Sequence, residues 1–319
     1  MLEPALLQSL YDAMYRIRIF ETRCIALYRA GDIRGYFHPS LGQEAVAAGV
    51  CAALDSRDSI ISTHRGHGHC IARGMQMDRM VAELLGKETG YCRGRGGSMH
   101  IADPEMGNLG ANGIVGGGIP MGVGVALAYS IRGEDRVSAV FFSDGAANNG
   151  VFAESMNLAA IWNLPALLVL ENNQYAATTP VESTTRNPVL SARAAGYGVA
   201  AEHVDGNDVE AVYAAAARGR ALCRSGKGPF LLEAVTYRHM GHHVNDPGTY
   251  MPADKLAMYR EQKDPVFVTR PLLVKALGEE GVKALEAAAD REMDEAVAFA
   301  RSSAEPGLDE FLHEAERYA

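Results

Sequence analysis

The chain is poor in the features that mark several large classes of protein. It has no Lys/Arg-rich block and carries a formal charge of −9 over 319 residues, which argues against nucleic acid or an anionic membrane surface as partner. No uninterrupted apolar run is long enough to span a bilayer. The opening stretch "MLEPALLQSLYDAMYRIRIF" carries charge throughout, unlike a secretion signal. The five cysteines, Cys24, Cys51, Cys70, Cys92 and Cys223, are odd in number, scattered and without CxxC spacing. Reduced thiols in a cytoplasm are therefore expected. Internal repeats, low-complexity tracts and a clear interdomain linker are also missing. One domain over 1–319, with 253–319 as a mostly helical extension, is the economical reading.

Glycine, in contrast, is plentiful, with 34 residues. It is dense from 93 to 124, where "RGRGGSMH" and "GANGIVGGGIPMGVG" read as loop brought close to something, since glycine lacks a Cβ. Residues 1–30 read as an amphipathic helix, with Leu7, Leu10, Tyr11, Met14 and Ile17 near helical spacing. A second helix is expected across "QEAVAAGVCAAL", and "ISTHRGHGHCIARG" begins as a short strand before a His-rich loop. Three continuous apolar runs, "RVSAVFF", "PALLVLE" and "PFLLEAVTY", alternate with helical stretches. That alternation predicts an α/β fold with a parallel sheet covered by helices on both faces.

The first of these strands leads into "SDGAANNG". A strand, a tight turn and a helix start commonly hold a phosphate, because the first N–H groups of a helix are unpaired and its dipole end is positive. Asp144 would repel that phosphate unless a cation lay between them. The second strand ends in "ENNQY", and parallel strands place their C-terminal ends side by side. Asp144 and the Asn172–Asn173 turn can thus face one crevice and offer hard oxygen ligands to Mg²⁺ or Ca²⁺. Asp-Gly and Asn-Asn are each ordinary turn dipeptides; the combination, with 26 residues between Gly145 and Asn172, is what carries weight.

That combination resembles the thiamine-diphosphate motif, GDG, some two dozen residues, then NN, with Ser143 in place of the first glycine. The resemblance extends over nearly the whole chain through "GYFHPSLGQEA", "STHRGHGHCIARG", "RGRGGSMHIAD", "GANGIVGGG", "DGAANNGVFAESMNLAAIWNLP", "ENNQYAATTP" and "YRHMGHHVNDPG". These stretches are similar to the α subunit of the thiamine-diphosphate-dependent first component of 2-oxo acid dehydrogenase complexes, and most similar to its acetoin branch.

The resemblance implies the thiamine-diphosphate-binding fold and a set of roles. Asp144, Asn173 and the main-chain oxygen of Tyr175 would bind Mg²⁺, and the N–H groups of Gly145 and Ala146 would reach the diphosphate. Arg65 and His64 would grip that diphosphate, with His242 near it and near the reacting centre. Gly113 and Val115 would contact the aminopyrimidine ring by their backbone, and His38 would lie beside the substrate. His38, His67 and His242 would move protons at neutral pH. The implied reaction breaks a C–C bond next to a carbonyl and passes a two-carbon unit to lipoamide on an acyltransferase component. No segment resembles the pyrimidine-binding half, so an α₂β₂ assembly with a β subunit is implied. Pyruvate, branched 2-oxo acids and carboligation remain alternatives to acetoin.

Other readings stay open for the histidines. Six of them in "HRGHGH" and "HMGHH" could form a zinc site, and a zinc hydrolase is the rival class. No HExxH helix or CxxC pair accompanies them. Solvated, structural positions are expected for His69, His100 and His243, and capping or surface roles for Glu44 and Glu154. A stand-alone ligand-binding subunit is a further alternative.

Overall fold

The computed structural model describes residues 2–309 and 312–313. In chain order, helix α1 (Pro4–Ala30) and α2 (Glu44–Ala53) lead to strand β1 (Ser59–Ile61), α3 (His67–Ala72) and α4 (Met77–Leu84). Then come α5 (Gly118–Arg132), β2 (Ser138–Ser143), the one-turn α6 (Asp144–Ala147), α7 (Gly150–Ile161) and β3 (Ala166–Asn172). A small antiparallel pair, β4 (Tyr175–Ala176) and β5 (Thr179–Pro180), precedes α8 (Val181–Thr184), a 3₁₀ stretch at Leu190–Tyr197, β6 (Ala200–Asp205), α9 (Val209–Arg224) and β7 (Phe230–Val235). Helices α10 (Ala253–Glu261) and α11 (Pro265–Ser302) follow. No described helix is long and apolar enough to cross a membrane.

The main sheet has the order β1-β2-β3-β7-β6, and all four pairings are parallel. Its central strands are buried on both faces, which explains their continuous apolar runs. Val140, Phe142, Leu168 and Leu170 pack with residues of α5 and α7 on one side. Ala139, Phe141, Leu167 and Val169 pack with α2 and α9 on the other. Alternate residues of one strand thus serve two separate cores, as the two-residue period of a strand requires. Every strand runs the same way, so the loops after Ile61, Ser143, Asn172 and Val235 gather at one edge.

Two expectations need correction. The glycine-rich stretch is not loop to residue 124, because α5 starts at Gly118. Gly122 serves packing: a Cβ there would meet Val140 Cγ2 at 2.1 Å, so only glycine lets helix and strand approach this closely. The His-rich segment is likewise helical from His67. The C-terminal region is helical as expected, although α11 breaks at Gly278, whose φ of 77° is not helical. Its later part lies along α1, joined by Tyr11 to Glu286 at 2.6 Å and Arg16 to Glu292 at 2.8 Å.

Candidate active site

The strand-end edge holds a cavity of about 250 Å³, bordered by Gln43, His64, Arg65, Val115, Gly145, Glu171, Asn173, Tyr175, Arg238 and His242. A wider hollow of about 740 Å³ lies elsewhere, beside Glu83, Lys87 and Arg301. Ion pairs such as Arg301 to Asp32 at 2.8 Å occupy its charges, so the strand-end cavity is the better candidate.

Strand β2 delivers Asp144. Ser143 caps the short helix behind it by accepting the N–H of Ala146 at 3.2 Å. The carboxylate of Asp144 is buried and lies behind Ser143 and Gly145 in the cavity wall. Only the N–H groups of its own turn lean toward it, and neither oxygen has a partner in good hydrogen-bond geometry. Burial raises its pKa to about 6. A buried carboxylate left without partners is costly, and a hard cation is the group that would relieve it. At Gly145 a Cβ would meet that of Ala176 at 2.7 Å, so only glycine lets this turn approach β4 so closely.

Strand β3 delivers the second turn. Asn172 donates to the buried Glu233 at 2.8 Å and accepts the N–H of Gln174 at 3.1 Å, and Gln174 takes a φ of 72°. This sharp reversal turns Asn173 inward, where its amide donates to Gln43 at 3.1 Å and its oxygen accepts from Tyr175 N at 3.3 Å. Asn173 and Tyr175 are both buried and both border the cavity. The donor set fits Mg²⁺: one ionised oxygen, one amide oxygen and a main-chain carbonyl.

Across the cavity stand two buried guanidinium groups. Arg65 donates to Pro39 O at 2.6 Å and His242 O at 2.9 Å. Arg238 donates to Ala177 O at 2.8 Å and to the Tyr250 hydroxyl at 3.2 Å, while its Nε has no partner. Burial and the charge of Arg238 hold Arg65 below the usual arginine range. Beside them His38, His64 and His242 come together, with ring nitrogens within 4.8 Å of one another. Burial first, then the Arg65 charge, lowers them to about 3, 2 and 4 respectively. Three neutral imidazoles could ligate a transition metal, but two guanidinium groups beside them repel a cation and attract an anion. A diphosphate suits this wall better than zinc does.

The structure gathers His64, Arg65, Val115, Gly145, Asn173, Tyr175 and His242 on the cavity, and Ala146 on the small hollow next to it; Asp144, buried between Ser143 and Gly145 in sequence, borders neither. His38 is buried, 4.9 Å from His64 and from His242 between ring centres. Gly113 borders neither the cavity nor the small hollow next to it, although its neighbours Ile114 and Val115 do. His67 does not border the cavity; it is fully buried, with Nδ1 3.2 Å from Glu21 and Nε2 3.0 Å from Ser98. Both ring nitrogens thus have partners outside the cavity. His69 is structural but not solvated, because Ser62 and Glu171 hold its two nitrogens at 2.8 and 3.2 Å. Glu44 is buried rather than on the surface and pairs with Arg18 at 2.6 Å, whereas Glu154 is exposed.

Arg238, Gln43 and Glu171 are cavity residues that motif reading missed. Arg238 follows β7 by three positions, and the rule that parallel sheets place their sites at strand C-termini was signal enough to find it.

The family model for the dehydrogenase E1 component matches residues 12–309. The chain is 45% identical over 303 residues to the α subunit of an acetoin:2,6-dichlorophenolindophenol oxidoreductase of Bacillus subtilis (strain 168), covering 95% of this chain and 91% of that one. The Cupriavidus necator protein of the same name is 43% identical, with 98% and 94% covered. The α subunit of the pyruvate dehydrogenase E1 component of Rhizobium meliloti (strain 1021) is 41% identical, with 94% and 87% covered. With that match over nearly its whole length, the chain belongs to the dehydrogenase E1 component family, whose members depend on thiamine diphosphate.

Proposed function

We propose that this chain is the α subunit of an acetoin-cleaving E1 dehydrogenase and carries the diphosphate half of its active site. The buried Asp144 carboxylate, without a hydrogen-bond partner and in the field of the buried Arg65 and Arg238 that border the cavity, is the observation that carries this reading. A metal diphosphate would bring a cation to the carboxylate and an anion to the guanidinium groups. The relatives named for acetoin, at 45% and 43% identity, support the substrate.

Asp144, Asn173 and the carbonyl oxygen of Tyr175 would hold Mg²⁺. The N–H groups of Gly145 and Ala146, together with Arg65, Arg238, His64 and His242, would take the diphosphate oxygens. Gly113 and Val115 would meet the aminopyrimidine from the glycine-rich loop. Thiamine diphosphate, when bound, supplies the nucleophilic carbon that lets the bond next to a carbonyl break. His38 and His242, neutral at pH 7, accept and return protons at their ring nitrogens beside that centre. Arg65 and Arg238 would hold the anion in place.

The acid that activates the aminopyrimidine would come from a β subunit in an α₂β₂ assembly, and a lipoyl acyltransferase would accept the two-carbon unit. The chain works as one unit with 253–319 as its extension, in a cytoplasm where its five free thiols stay reduced. Co-expression with a β subunit, followed by dye-reduction assays, tests the proposal. A higher kcat/KM for acetoin than for pyruvate is expected; the reverse order would move the chain to the pyruvate branch.

A further inference from the structure

Glu21 lies outside the cavity, yet it touches the loops that build it. It is fully buried on α1. Its Oε1 accepts from the N–H of Ser40 at 2.9 Å and from the Ser40 hydroxyl at 2.8 Å. His67 Nδ1 lies 3.2 Å from Oε1 and 3.3 Å from Oε2. On the far side of the ring, the Ser98 hydroxyl is 3.0 Å from Nε2. The carboxylate therefore sets the tautomer: Nδ1–H donates to Glu21, and Nε2 accepts from Ser98.

Spacing gives these contacts their meaning. Ser40 stands two residues after His38, and His67 stands two residues after Arg65. Arg65 in turn donates to Pro39 O at 2.6 Å, which closes a ring from Glu21 through both loops and back. Ser98 ties the glycine-rich loop to the same centre, and Glu83 holds that loop by accepting N–H groups from Cys92, Gly94, Gly96 and Gly97 at 2.7 to 3.0 Å. Among the described residues His67 is the one ion-pair partner of Glu21. His67, its partner, packs between Phe20 and Phe37 at 5.6 and 4.9 Å between ring centres, and burying a carboxylate in such surroundings is costly unless it is paired. What the carboxylate adds is direction.

We propose that Glu21 is a positioning residue that, through Ser40 and His67, fixes His38 and Arg65 relative to each other at the cavity. The functional meaning of those two groups rests on the E1 reading; the geometry does not. The test uses the full chain, alone and reconstituted with its β subunit, in Glu21→Gln, Glu21→Ala and Ser98→Ala forms. Three quantities are measured: the His67 tautomer by nitrogen NMR of histidine-labelled chain, thiamine-diphosphate affinity with Mg²⁺, and the split between kcat and KM. In Glu21→Gln, loss of the single His67 tautomer is expected, together with a kcat/KM lowered by about 10- to 100-fold at a nearly unchanged melting temperature. Ser98→Ala is expected to fall between that variant and wild type. An unchanged tautomer and cofactor affinity in Glu21→Gln would overturn the proposal. So would an activity loss that merely tracks the unfolded fraction. Should Glu21→Ala fail to fold, the Gln and Ser98 variants still decide the matter. Should wild type bind no thiamine diphosphate, the E1 reading fails while the tautomer measurement still judges Glu21.

Discussion

Ser143 lies in register with Glu171 across the β2–β3 pair, so the two strands end within one residue of each other and their turns open side by side. Asp144 and Asn173 therefore reach one site from 29 positions apart in sequence. Asp144→Asn tests what that site holds. Burial raises the folded pKa of Asp144 to about 6 from an ordinary value of 3.8. The folded chain thus keeps a proton that the unfolded chain has released, and its stability falls as pH rises between those values. Above pH 6 without metal, Asp144→Asn should be more stable than wild type by about 1–2 kcal/mol, and the gain should vanish near pH 4. Adding Mg²⁺ and thiamine diphosphate should reverse the order, since only wild type would be stabilised. Calorimetry that finds equal cofactor affinity in both proteins would end the metal assignment.

The histidines act in the opposite sense. His38, His64, His239 and His242 are lowered to about 3, 2, 4 and 4 by burial, with Arg65 or Arg18 adding to it. Each is neutral when folded and charges when unfolded, so stability is lost as pH falls below about 6.5 toward those values. Urea unfolding between pH 6.5 and 5 should show a steep decline corresponding to more than two protons taken up. Asp144 offsets this by at most one. A flat profile over that range would show that the cavity is wetter and less positive than the structure implies.

Gly42→Ala should reach the site through the backbone. Gly42 has a φ of 90°, and a Cβ there would meet Tyr237 O at 2.4 Å and the His239 ring at 2.5 Å. The next residue is Gln43, which holds the amide of Asn173. A stability loss of about 1–3 kcal/mol is expected, accompanied by weaker Mg²⁺-dependent cofactor binding. Denaturant melts and cofactor titration together check both halves. Normal binding in a destabilised variant would separate Gln43 from the metal turn.

The purified chain alone should be catalytically silent with Mg²⁺, thiamine diphosphate and an artificial electron acceptor. Neither Glu44, buried against Arg18, nor Glu154, exposed on α7, borders the cavity. Ile114, Val115 and Met121 are half or more exposed along the glycine-rich segment and the start of α5, where a partner would cover them. Turnover by the single chain at the rate of the two-chain enzyme would place the activating acid here after all.

How much could be read beforehand depended on how local each signal was. β2, β3 and β7 are legible because burial on both faces leaves continuous apolar runs. β6 escaped because it is an edge strand with exposed Ala200, Ala201 and His203 among its six residues, so no run forms. α5 was misread where glycine, a poor helix former, is needed for close packing against Val140. In the site, Asp144 and Asn173 stand out because turn chemistry and spacing are written along the chain. The surroundings of His67 were not legible because its partners, Glu21 and Ser98, lie 46 and 31 positions away, and only the fold brings them to its ring nitrogens.

The order of the sheet also governs how the chain is made. β7 sits between β3 and β6, so β6 has no neighbour to join until Val235 has emerged from the ribosome. The apolar face of α1 waits longer still, because α11, which lies along it, ends only at Ser302. At ordinary translation speeds the interval is on the order of tens of seconds. During that time an open parallel edge and an uncovered helix coexist in one nascent chain. Sequence-distant pairing of this kind is intrinsically slow, so the yield of native protein should respond to chaperone supply and to growth temperature more than its final stability would suggest.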